Sequence, residues 1–147
     1  MTYFQDLTLY SYLGSDQDAA IATLNVGWLD SSMPHEQGIT LDEFKEKLLF
    51  FCCPEFVVHQ CCGYHQCQFC DNPPFSVQAH SGDKEIWLGN GEIRAIGKTA
   101  IYAAPTLIYH YVVVHNYQPP AEFVEAVLNG PQPGSNTHRA LIDKLGH

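Results

Sequence analysis

Cys67 and Cys70 are separated by two residues in the run Gly63-Tyr64-His65-Gln66-Cys67-Gln68-Phe69-Cys70. Two thiolates at this spacing can grip one ion from a tight turn whose backbone N–H groups also point at the sulfurs. Zinc suits such a pair, because it accepts tetrahedral sulfur and nitrogen ligands without redox chemistry of its own. A C-x-x-C also fits a thioredoxin-like redox pair, which wants a helix at the motif. Asp71-Asn72-Pro73-Pro74 follows instead and works against a helix there. Thiol redox chemistry is therefore the third choice, behind two zinc readings.

A closed zinc site needs two more ligands. His110 and His115 lie near the end of an apolar segment that starts at Pro105. Their spacing turns about 140° around an ideal helix, so both reach one ion only if the last turn tightens. It nevertheless lies within the His-x₃₋₅-His range of zinc sites. His65 competes: in an extended entry to the knuckle, positions 65 and 67 point to the same side. Cys67, Cys70 and His110 rank first, with His115 and His65 level for the fourth place.

The number of ligands separates a structural ion from a catalytic one. A hydrolase needs three protein ligands, an open position for water and a general base. Glu92 is the nearest candidate base, with the leftover histidine as proton shuttle. The sequence has no His-Glu-x-x-His and no deaminase-type His-x-Glu with Pro-Cys-x-x-Cys. Five potential ligands favour a closed site, so a structural zinc leads and a zinc-dependent hydrolase is the alternative. On its strand, Glu92 shares a face with Arg94, so both point to solvent or pair with neighbours, and a surface pair is the default. Cys52, Cys53, Cys61 and Cys62, with His59 between them, read as small buried hydrophobes, since adjacent cysteines rarely face one ion.

The elements that would position these residues follow from patterning. Residues 22–29 read as a strand, and Gly27 within it marks a bulge or a close backbone approach. Residues 40–51 read as a helix, with Thr40 as cap and Leu41, Phe44, Leu48 and Phe51 on one face. Residues 56–61 suit a strand. Gly89-Asn90-Gly91 between two apolar runs signals a hairpin, and residues 84–103 read as a small antiparallel meander. Pro105 suits the first turn of a helix reaching about Asn116, and Pro119-Pro120 open another that stops at Gly130. A last helix runs over 137–145. Strands with one helix, then helices alone, argue for an α+β fold: a zinc-clamped single domain spanning 1–147.

Bulk properties narrow the partners. Seven Lys+Arg against sixteen Asp+Glu leave a net charge of −9, which repels a phosphate backbone and an anionic bilayer alike. Nucleic acid and membrane are thus disfavoured, and another protein is the expected partner. The opening residues carry Asp6 and no positive charge before an apolar run, unlike a signal peptide. The longest apolar stretch, 100–114, is broken by Pro105, Thr106 and His110, so it is too polar to span a bilayer. A soluble, cytoplasmic protein with reduced thiols is the expectation.

The knuckle, Asn90-Gly91-Glu92-Ile93-Arg94, the segment Tyr102-Ala103-Ala104-Pro105-Thr106-Leu107-Ile108-Tyr109-His110-Tyr111-Val112, His115, Tyr117 and Pro119-Pro120 carry a further signal. Together with Asn25-Val26-Gly27-Trp28-Leu29, they resemble an uncharacterised bacterial domain family of short stand-alone proteins. The resemblance implicates His65, Cys67, Cys70, His110 and His115 without choosing among them, and it implies no activity.

Overall fold

Six residues, Ala100–Pro105, form the strand around which the sheet is built, and all six are buried. Their apolar run has no polar alternation, as a strand covered on both faces requires. The computed structural model describes residues 2–10, 21–60, 63–73 and 77–144. In chain order the elements are β1 (Ala22–Asn25), α1 (Asp42–Phe51), β2 (Val77–Ser81), β3 (Lys84–Leu88), β4 (Glu92–Ile96), β5 (Ala100–Pro105), α2 (Ile108–His115), α3 (Ala121–Asn129) and α4 (Asn136–Lys144). A short 3₁₀ turn at Pro54–Phe56 follows α1. The fold is α+β, as the order of patterns predicts.

β5 is the middle strand of a three-stranded sheet, parallel to β1 and antiparallel to β4. β2 and β3 form a separate antiparallel pair. The meander expected over 84–103 is therefore split, and the hairpin at Gly89-Asn90-Gly91 does not join β3 to β4. The backbone there is engaged elsewhere. Gly89 accepts from the His65 N–H (2.9 Å) and donates to Thr106 Oγ1 (2.7 Å), while Gly91 accepts from the Thr106 N–H (3.0 Å). Glu92 then exchanges both backbone bonds with Val58 at 2.9 Å. Among the described residues, 56–60, the strand expected over 56–61 thus reduces to a single bridge at Val58. Gly89 sits at φ 101°, and a Cβ there would stand 2.6 Å from the His65 carbonyl oxygen. Only glycine fits that turn.

Phe44, Leu48 and Phe51 of α1 join the main core with Phe123 and Val127 of α3. Thr40 does not cap α1. Leu41 holds the cap position in an extended conformation, which takes it off the helical face and leaves it 67% exposed. Pro105 ends β5 instead of opening α2, which starts after the Thr106-Leu107 turn. Gly27, at φ 79°, is a close approach: a Cβ there would lie 2.7 Å from Ile108 Cδ1. The stretch after Asn25 leaves the strand at this point, which is why β1 is shorter than its apolar pattern.

Residues 2–10 pack as an arm across the sheet. The Phe4 ring meets Trp28 edge-on at 5.6 Å, and Leu9 bridges Leu24. α4 closes the far side, with His138 Nε2 2.8 Å from the Arg94 carbonyl oxygen and Ile142 against Ile96 and Ile101. No helix among the described residues is long and apolar enough to cross a membrane.

Candidate metal centre

Cys67 and Cys70 flank a tight turn at Gln68-Phe69, on a loop pinned by the His65–Gly89 bond. That loop faces α2, which carries His110 in its first turn and His115 as its last residue. The ligand atoms of Cys67, Cys70, His110 and His115 all lie within 4.8 Å of one another. Cys70 Sγ is 3.2 Å from His110 Nε2 and 3.3 Å from His115 Nε2, and Cys67 Sγ is also 3.3 Å from His115 Nε2. The two imidazoles stand 5.0 Å apart at 73°. Two sulfurs and two nitrogens converge on one point, an arrangement able to hold a metal ion.

No 3₁₀ tightening brings the histidines together. α2 stays α-helical to His115, where Asn116 reverses the chain in a left-handed conformation (φ 56°). The N–H groups of Asn116 and Tyr117 both turn back to the Tyr111 carbonyl. The two rings reach around α2 from positions 140° apart, about the angle an ideal helix gives, and meet at Cys70.

The surroundings are largely apolar. Cys67 is buried, and the Phe69 ring packs on Tyr111 (5.6 Å), His115 (5.6 Å) and His35 (5.2 Å). Burial pushes the Cys67 thiol up to about 11, against the pull of the Phe69 N–H. Burial, then the neighbouring His115, lowers His110 from its ordinary value; burial, then His35, lowers His115. Neutral imidazoles are the metal-binding form, whereas the thiol must shed its proton to ligate. Gln68 Oε1 accepts from the Ser31 N–H (3.1 Å) and Oγ–H (3.2 Å), tying the knuckle to the loop after Leu29.

His65 stands outside this group. Its side chain is exposed, and with His59, Trp28 and Glu92 it lines a separate cleft of about 70 Å³ that none of the four clustered residues enters. Glu92 and Arg94 do pair, but not at the surface, as the default reading has it. Arg94 is 1% exposed, and its Nη1 lies 3.0 Å from Glu92 Oε1. Tyr10 covers the pair, donating its O–H to the same oxygen at 2.9 Å with its ring 4.7 Å from the guanidinium carbon. The arm that buries them had no charge partner legible at the level of β4 alone. Cys52 and Cys53 are buried, and burial raises both thiols. Cys61 and Cys62 lie outside the described residues. Sequence reasoning missed His35 beside the centre, since one histidine in a polar loop carries no spacing signal.

The chain belongs to a family described as a domain of unknown function (DUF7919), which matches residues 2–128. The match takes in the knuckle, α2 and most of α3. No curated protein and no solved structure matches the chain.

Proposed function

We propose that Cys67, Cys70, His110 and His115 bind one structural Zn²⁺ and clamp the knuckle to α2 in a binding or regulatory module whose partner is another protein. The observation that carries the reading is the mutual spacing of the four donors. With Zn–S near 2.3 Å and Zn–N near 2.0–2.1 Å, tetrahedral geometry sets S···N at about 3.5 Å. The three S···N distances, 3.2, 3.3 and 3.3 Å, come close to that. A hydrogen-bonded pair alone does not account for one Nε2 equidistant from two sulfurs while one sulfur meets two Nε2 atoms. The donor set of two thiolates and two imidazoles matches zinc's preference and leaves no protein-free position for water.

Within this reading the four residues contribute folding free energy and chemistry is absent. The hydrolase alternative finds no support in the position of Glu92, which lines a different cleft and is held by Arg94 and Tyr10. A protein partner accords with the net charge of −9 and with Val113 and Val114 exposed on α2, beside the site.

Metal analysis of the purified chain combined with X-ray absorption at the zinc edge tests the proposal. One zinc per chain with two sulfur and two nitrogen neighbours is the expected result. Three protein ligands plus a water oxygen would overturn the structural role, and a stoichiometric metal other than zinc would overturn the identity of the ion.

A further inference from the structure

A cleft of about 430 Å³ lies between the N-terminal arm and the loop at 29–36. That is within the size range of small-molecule pockets. Its walls combine two kinds of group. Tyr3, Phe4 and Met33 supply aromatic and apolar surface, while Asp6 and Glu36 supply carboxylates. None of its described lining residues is a lysine or arginine.

The acidic groups are fixed in different ways. Asp6 accepts the Gly27 N–H through Oδ1 (2.9 Å) and the Tyr117 O–H through Oδ2 (2.6 Å), so its charge is built into the wall. The Glu36 backbone is held by the Gln118 N–H (2.9 Å), and its side chain is exposed with no cationic partner among the described residues. His35, also in the wall, has a buried Nε2 with no hydrogen-bond partner among the described residues. Its ring is packed edge-on against Phe69 and Tyr117, which fixes its place in the wall. Buried polar atoms in native proteins are rarely left unpaired without reason.

We propose that this cleft binds a small organic cation, an ammonium or guanidinium group carried on an apolar body. The cationic head lies against Glu36 and within reach of the Asp6 charge, and the body lies on Phe4, Tyr3 and Met33. Aromatic faces favour cations over anions by their quadrupole, and the net charge of −9 draws cations toward the surface as a whole. The proposal does not depend on which metal, if any, the cysteine–histidine cluster binds. The wall loop is tied to the knuckle through Gln68, and the 29–36 backbone is further held by Gln118.

Phenethylammonium and 3-phenylpropanoate, similar in size and opposite in charge, are the probes. Each is titrated at low salt into the ¹⁵N-labelled full chain as purified, with amide shifts followed by NMR. Phenethylammonium should shift the amides of residues 3–6 and 29–36 saturably, with Kd in the range of about 1–10 mM expected for so small a ligand. 3-Phenylpropanoate should not saturate. Glu36→Gln, an exposed substitution that leaves the core intact, should weaken phenethylammonium binding about threefold or more, an effect that added salt should reduce. Equal binding of the two probes, no saturable shift at those residues up to about 20 mM, or unchanged affinity in Glu36→Gln would each overturn the proposal. Circular dichroism of the variant establishes that it is folded before titration.

Discussion

At the scale of single residues, the distinction that matters is between donors that converge and donors that merely stand near in sequence. His65 is two residues from Cys67, yet it faces the Glu92 cleft, because its N–H is spent on Gly89 and turns the chain there. His115 is forty-five residues from Cys70 and lies 3.3 Å from it. Under the zinc reading, Cys67→Ser or Cys70→Ser should remove stoichiometric metal and lower Tm by about 10 °C or more, the equivalent of roughly 3 kcal/mol in a chain of this size. His65→Ala should leave both metal content and Tm unchanged. Metal analysis and thermal unfolding of the three variants check this, and unchanged stability in the cysteine variants would defeat it.

The same residues set a pH dependence. His110 and His115 have folded-state pKa values below the ordinary imidazole value, so as pH falls the unfolded chain takes up protons first. Their contribution to the metal-free fold is therefore present above pH of about 6.5 and is lost below it. Metal binding has a separate proton requirement. The Cys67 thiol, pushed up to about 11, must give up its proton to ligate. Affinity should rise roughly tenfold per pH unit for each proton released. Competition against a chromophoric chelator at several pH values should show the rise, and calorimetry in buffers of different ionisation enthalpy should count at least one proton per ion.

At the scale of elements, β4 carries the clearest test. Its Glu92–Arg94 pair is buried by Tyr10, and Arg94 also reaches the Ile93 carbonyl (3.1 Å). Removing one member of a buried pair leaves the other uncompensated, which costs about 3–5 kcal/mol. Glu92→Ala should destabilise the protein by that order, measured by urea unfolding. A Glu92→Ala/Arg94→Met double variant should recover part of the loss. A surface pair would lose less than about 1 kcal/mol and show no recovery.

The elements also show what the sequence made legible. α1, α3 and the strand cores follow from periodicity and from Pro and Gly punctuation, which act locally. The C-x-x-C and the two histidines of α2 were legible because ligand spacing is itself a local code. Two features were not. The split between β3 and β4 depends on His65 and Thr106 taking the backbone of Gly89 and Gly91 and on Val58 taking that of Glu92, and those partners come from three different segments. The burial of Arg94 depends on Tyr10, which lies more than eighty residues earlier. Local pattern carries no trace of either.

At the scale of the whole molecule, the main core takes in residues of α1, α3, β4 and β5, and the cysteine–histidine cluster joins it at one corner through Cys67, with Phe69 and Cys70 packed against it. Under the zinc reading, chelation should act unevenly. Amides of residues 63–73 and of α2 should lose hydrogen-exchange protection first, with those of β4 and β5 retained longest. Ser31 should follow the knuckle, because Gln68 holds it. Simultaneous loss across all strands and helices would mean that the ion supports the whole core and not one corner of it.

The N-terminal arm has a consequence for how the chain is made. Asp6 bonds to Tyr117 across 111 residues, and Tyr10 to Glu92 across 82. During synthesis Glu92 and Tyr117 leave the ribosome well after Asp6 and Tyr10. At typical elongation rates of about 5–20 residues per second, the arm waits some seconds with its aromatic side chains uncovered. Its docking then becomes a closing step that seals the sheet only after α2 and the turn beyond it have been translated.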